Sequence, residues 1–163
     1  MRDERFKAAH RGGPLSLSRH RLLATWAADC AEHVLPLFCN QYPRDNRPLR
    51  AIEAARAWSR GEITVGEART AAVEAHAAAR EAEEDAARYV ARATGHAAAT
   101  AHMADHAPGA AMYAIKAVKA ASDITDTTSA VELEHHWQTE RLTEEIRELV
   151  LSTFEQKFAF LGL

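Results

Sequence analysis

Apolar residues recur along this chain at three- and four-residue spacing, and no stretch alternates at two. That is the pattern of helices with one buried face, not of strands. The first run carries Leu22, Leu23, Trp26, Ala27, Cys30, Val34, Leu37 and Phe38. Ser16 or Ser18 is placed to cap it, by accepting from a free N–H of the first turn. Pro36 predicts a kink or an end near its C-terminus, because proline lacks the helical N–H. A loop with Tyr42-Pro43 follows. Asp45 or Asn46 then caps a second helix, over about 48–60, with Pro48 in its first turn. Ile52, Ala55 and Trp58 face inward there, and Gly61 ends it.

Thr64-Val65-Gly66-Glu67 has the hydroxyl and the carboxylate of a capping box. It predicts a long helix over about 65–93, with the acidic segment 81–85 in solvent and Gly95 as its end. A helix bearing histidines is expected over about 96–106, and another from Pro108-Gly109 with Met112, Tyr113, Ile115 and Val118 as its large apolar groups. After a polar loop, Ser129-Ala130-Val131-Glu132 reads as a second capping box. It opens a final helix, over about 130–158, with Val131, His135, Leu142, Ile146, Leu149, Val150 and Phe154 on one side and glutamates elsewhere. Residues 1–15 are charged, then broken by Arg11-Gly12-Gly13-Pro14, and read as a tail or lead-in loop.

Composition strengthens the helical reading. Alanine fills 36 of 163 positions, against seven glycines and five prolines, and alanine is the best helix former. The expectation is an all-α, single compact bundle of about five to seven helices, one domain over residues 1–163. The net charge of −3 argues against a nucleic-acid binder, which needs a basic face. There is neither a leader nor an apolar run of about 18 residues, so no membrane span is expected and a cytoplasmic location is. Cys30 and Cys39 on one helix lie about 13 Å apart along its axis. That is beyond the reach of a disulfide, so both are read as thiols.

His102-Met103-Ala104-Asp105-His106 is the sharpest chemical motif. Histidines four apart on a helix can hold one metal, with a nearby carboxylate as general base. Asp105 is short for that role, and no third ligand follows at a recognisable spacing. The competing reading is a polar core in which His102 and His106 bond to neighbours. On a helical wheel His96 points about 80–120° away from both, so the three histidines diverge if one helix carries them. His96 pairs instead with Thr100. In the first helix Asp29 is placed to orient His33, beside Trp26 and Cys30. Asp45, Arg47 and Arg56 surround a helix start, where a local salt bridge is preferred over an anion site. His76 and Arg80 share a face.

Four stretches together resemble a known family. They are Trp26-Ala27-Ala28-Asp29-Cys30-Ala31-Glu32-His33, Asp45-Asn46-Arg47-Pro48 through Arg56-Ala57-Trp58, Ala75-His76-Ala77-Ala78-Ala79-Arg80, and Gly95-His96 through Thr100-Ala101-His102 to His106. The chain is similar to the small all-α bacterial immunity proteins called Imm-five-like, over about residues 18–120. The resemblance implies a protein that binds and neutralises a cognate toxin of a polymorphic toxin system. It implies no catalytic residue and no cofactor. It also makes Trp26, Asp29, His33, Asp45, Arg47, Arg56, His76, Arg80, His96, Thr100, His102 and His106 candidates for a polar cluster or pocket. Some such chains carry the label of the exonuclease SbcC, but no G-x-x-x-x-G-K-[ST] phosphate loop is present here. Two other readings stay open: a metal-dependent or small-molecule enzyme built on His102, Asp105 and His106, and a helical ligand-binding module.

Overall fold

The computed structural model describes residues 3–163, and helices account for its regular structure. They are α1 (Leu17–Val34), α2 (Pro36–Cys39), α3 (Arg47–Ser59), α4 (Val65–Glu81), α5 (Asp85–Ala99), α6 (His106–Ala121), α7 (Thr127–Glu140) and α8 (Glu144–Lys157). The all-α class follows directly. Two of the expected long helices are each split and Pro36 sets off α2, whereas the helix expected over 96–106 is absent, which makes eight α-helices among the described residues.

Local signals set several ends. Ser16 accepts from the Arg19 N–H, and Thr64 and Glu67 close the expected capping box. The Asp45 carboxylate accepts from the Arg47 N–H at the start of α3. Pro36 separates α1 from the single turn of α2. The second capping box does not form: α7 begins at Thr127, which leaves Ser129 inside the helix.

The expected helix over 65–93 breaks at Ala82–Glu84. Four carboxylates crowd residues 81–85, and repulsion between them weakens a helix. Tertiary partners then take over the freed backbone. The Tyr42 hydroxyl accepts from the Glu83 N–H, and Arg88 donates to the carbonyls of Ala82 and Glu83. Gly95 does not end a helix; it lies buried inside α5. The final helix breaks likewise, at Arg141–Thr143, where Arg147 donates to the carbonyls of Thr139 and Leu142.

α5 is the central helix, packed against α1, α2, α3, α4 and α6. One apolar cluster runs from Phe6 to Leu161, with Leu23, Trp26, Phe38, Ile52, Ile115, Ile146 and Val150 fully buried in it. A second cluster, between α3, α4 and α5, consists of alanines alone: Ala51, Ala72, Ala75, Ala98 and Ala99. Side chains this small bring helix axes to the short end of the usual 8–10 Å range. The described residues before α1 are tied down as well. They form two 3-10 turns, and Phe6 and Leu15 are buried in the main cluster. Among the described residues no helix is long and apolar enough to cross a membrane.

Candidate functional site

The proposed polar residues fall into three places. The first is the junction of α4, α5 and α6. The expected histidine helix over 96–106 does not exist, because α5 ends at Ala99 and α6 starts at His106. Between them the chain turns a corner. The Thr100 hydroxyl and N–H both bond back to the His96 carbonyl. The carbonyl of Thr100, freed by the turn, accepts from His20 Nε2 at 2.5 Å. His20 comes from α1 and is itself buried against Trp58.

That corner overturns the wheel argument. On one straight helix His96 would point away from His102 and His106. With the corner it meets His106 directly, Nδ1 to Nδ1 at 3.0 Å. His102 lies on the other side of His106, with ring centres 5.3 Å apart. His76 of α4 sits edge-on to His96 at 5.5 Å. The result is a row of four imidazoles: His76, His96, His106, His102.

Two glycines make room for the row. A Cβ on Gly95 of α5 would lie 2.6 Å from the His76 ring. A Cβ on Gly109 of α6 would lie 2.8 Å from His96 Nδ1. His76 and His96 therefore each rest on a glycine of the following helix. The signal was present in the sequence as two glycines within helical patterns, but their facing partners were not.

Burial disfavours charge on three of the four rings, His76, His96 and His102. Burial pushes the His76 imidazolium down to about 4, helped by Arg92, His106 and Arg80. Burial pushes His96 to about 3, helped by His106, His76 and Arg92. His102 is also lowered, first by burial. Arg92 donates to His76 Nδ1 at 3.3 Å, which leaves the His76 proton on Nε2. The His96–His106 bond needs an Nδ1–H on one ring and an Nδ1 lone pair on the other, so the two rings differ in what Nδ1 carries. Among the described residues no three His, Cys, Asp or Glu side chains group so as to hold a metal ion.

The second place is the surface where α1 meets α7. His33 Nδ1 bonds to the Glu134 carboxylate at 2.7 Å. Asp29, expected to orient His33, is turned to Arg56 at 2.7 Å, and Arg56 also holds Glu32. Glu134 is buried, and its other oxygen accepts from Gln138 Nε2. Gln138 also donates to the Ala111 carbonyl of α6. Its own carbonyl accepts from Trp26 Nε1. The Trp137 ring lies parallel to His33, with centres 3.7 Å apart. The Arg141 guanidinium lies 3.6 Å from the Trp137 ring centre. Two groups that close to one ring cannot share a face, so Trp137 is sandwiched between them. Helical spacing puts Glu134 among the glutamates off the apolar side of a long last helix. Its burial depends on α1, which the pattern of α7 alone does not contain. Cys30 is sealed beneath this seam, and burial pushes its thiol up, with Glu134 and Asp29 adding to the shift. Both cysteines are free.

The third place is a surface salt bridge. Arg47 is held by Asp45 at 2.6 Å and by Glu81 of α4 at 2.5 Å. Arg56 is not part of it. Arg80 is exposed on α4. A pocket built from Trp26, His33, His76 and His96 together does not occur, since these residues belong to separate places.

No curated protein and no solved structure matches the chain. A family described as "Imm-5 like putative immunity protein" matches residues 13–145, which takes in α1 through α7 and both histidine sites. On that match, which covers most of its length, the chain belongs to this family.

Proposed function

We propose that the chain is a bacterial immunity protein that neutralises a cognate toxin by binding it, in the cytoplasm of the cell that makes both. The family match over residues 13–145 carries this reading. Two features of the structure support it. In the imidazole row, His76 and His96 are seated on glycines and held neutral by burial. The row reads as a polar framework that fixes the angle between α5 and α6. The α1–α7 surface, by contrast, offers ordered aromatic and charged groups to solvent. The action is binding rather than turnover.

The test is co-expression. The toxin-like product of the neighbouring reading frame is induced in a sensitive bacterial host, with and without this chain. Restored growth and a co-purifying complex are expected. Full toxicity with no complex would overturn the reading.

A further inference from the structure

We propose that the α1–α7 face, anchored by the His33–Trp137–Arg141 stack, is the surface that docks a positively charged face of the toxin. The assignment rests on the immunity reading above and specifies where it acts.

Tryptophan and arginine are the residues that most often dominate binding energy at interfaces, above all when rigidly held. Here both are held. Trp137 has His33 on one face and Arg141 on the other, and Arg141 also bonds to the Trp137 carbonyl. A surface whose rotamers are already fixed loses little entropy on binding.

The cost of this order points the same way. Glu134 is 4% exposed, and a buried carboxylate carries a desolvation penalty that an apolar side chain would not. What the carboxylate does there is fix Gln138 and an imidazole that faces solvent. The same carboxylate that fixes Gln138 thereby also holds an exposed ring in one orientation.

The face has the anatomy of an interface, an apolar centre inside a polar rim. Leu133, 69% exposed, continues the apolar surface of Trp137 in one hollow. Asp29 and Glu32 border an adjoining hollow, and Glu140 borders the first. With Glu134 these make four carboxylates against the guanidiniums of Arg56 and Arg141, so the face is net negative. That charge selects a basic partner and speeds encounter with it. It disfavours a second copy of this chain, because a two-fold dimer would set the acidic rim against itself. The face also lies inside the family-matched span, whereas nearly all of α8 lies beyond it.

Binding to an inactivated form of the toxin is measured by calorimetry and by association kinetics at low and high salt. Trp137→Ala is expected to weaken binding at least 10-fold. Glu32→Lys with Glu140→Lys changes only exposed side chains, and is expected to slow association at low salt and flatten its salt dependence. Glu144→Lys with Glu148→Lys on α8 should change affinity less than twofold. Melting curves confirm that each variant is folded. Wild-type binding that both sets of α1–α7 variants leave within twofold overturns the docking face alone. No binding by wild type overturns the immunity reading and the face with it. A homodimer that Trp137→Ala dissolves overturns the choice of partner.

Discussion

His96 and His33 each bond to one other side chain, yet their settings are opposite. His96 is packed between α5 and α6, its partner is another imidazole, and burial with nearby cations holds it neutral. His33 stands at the surface, and its partner is a carboxylate buried for the purpose. At the first site the fold encloses a ring that burial keeps uncharged. At the second it spends a buried charge to aim a ring outward. The contrast separates a histidine enclosed by helix packing from one held in a fixed orientation at the surface, and residue type alone does not tell them apart.

The seam beneath the second site bears the largest expected change. Trp26 is 2% exposed and donates to the Gln138 carbonyl, which joins α1 to α7. Trp26→Ala should cost about 3–5 kcal/mol in urea unfolding, the usual range for emptying a buried aromatic site. A loss under 1 kcal/mol would mean that α7 does not depend on α1.

Acid should act on the imidazole row next. In the unfolded chain these histidines titrate near 6.5, but in the fold His76 and His96 sit at about 4 and about 3. As pH falls below about 6.5 the unfolded chain gains protons that the fold refuses, so stability present at neutral pH is lost on the way down to those values. Two such groups would give roughly 4 kcal/mol between pH 7 and 5, cut to about 2–3 kcal/mol because solvent screens the half-buried His76. Urea midpoints that stay flat over that interval would show that the row is not shielded.

The glycine seats are the third lever. Alanine at Gly95 or Gly109 gains helix propensity but drives a methyl into an imidazole. Overpacking of this kind costs about 1–3 kcal/mol, against a propensity gain of up to about 1 kcal/mol. A net loss is expected for each. Gly95→Ala combined with His76→Ala should recover much of it. If the second change brings no recovery, the clash is not with the ring.

Glu134→Gln should have a comparable or smaller effect, about 1 kcal/mol, from weakening a charge-assisted hydrogen bond while keeping its shape. The spectrum of Trp137 should shift as His33 loosens. An unchanged spectrum would separate the carboxylate from the stack.

Much of the fold was legible because it is local. The Ser16 cap, the Thr64–Glu67 box and the inward stripe of Ile52, Ala55 and Trp58 each depend on residues within one or two turns. The corner at Thr100 was not legible, because the group that accommodates its freed carbonyl is His20, 80 positions away. Hence the histidines read as divergent converge. The same holds for Glu134. Its spacing placed it on an acidic helix face, and only α1 makes that position a buried one. Gly95 carried a true signal with the wrong cause: it signalled the close approach of a neighbour rather than the end of a helix.

Cys30 lies under the α1–α7 seam with no exposed surface, whereas Cys39 is partly exposed on α2. The pair therefore forms an internal clock. A thiol reagent meets Cys39 in the intact protein but reaches Cys30 only while the seam is open. The second alkylation thus times the opening of α7 from α1. A bound partner that spans α1 and α7 would slow that clock without touching the cysteine.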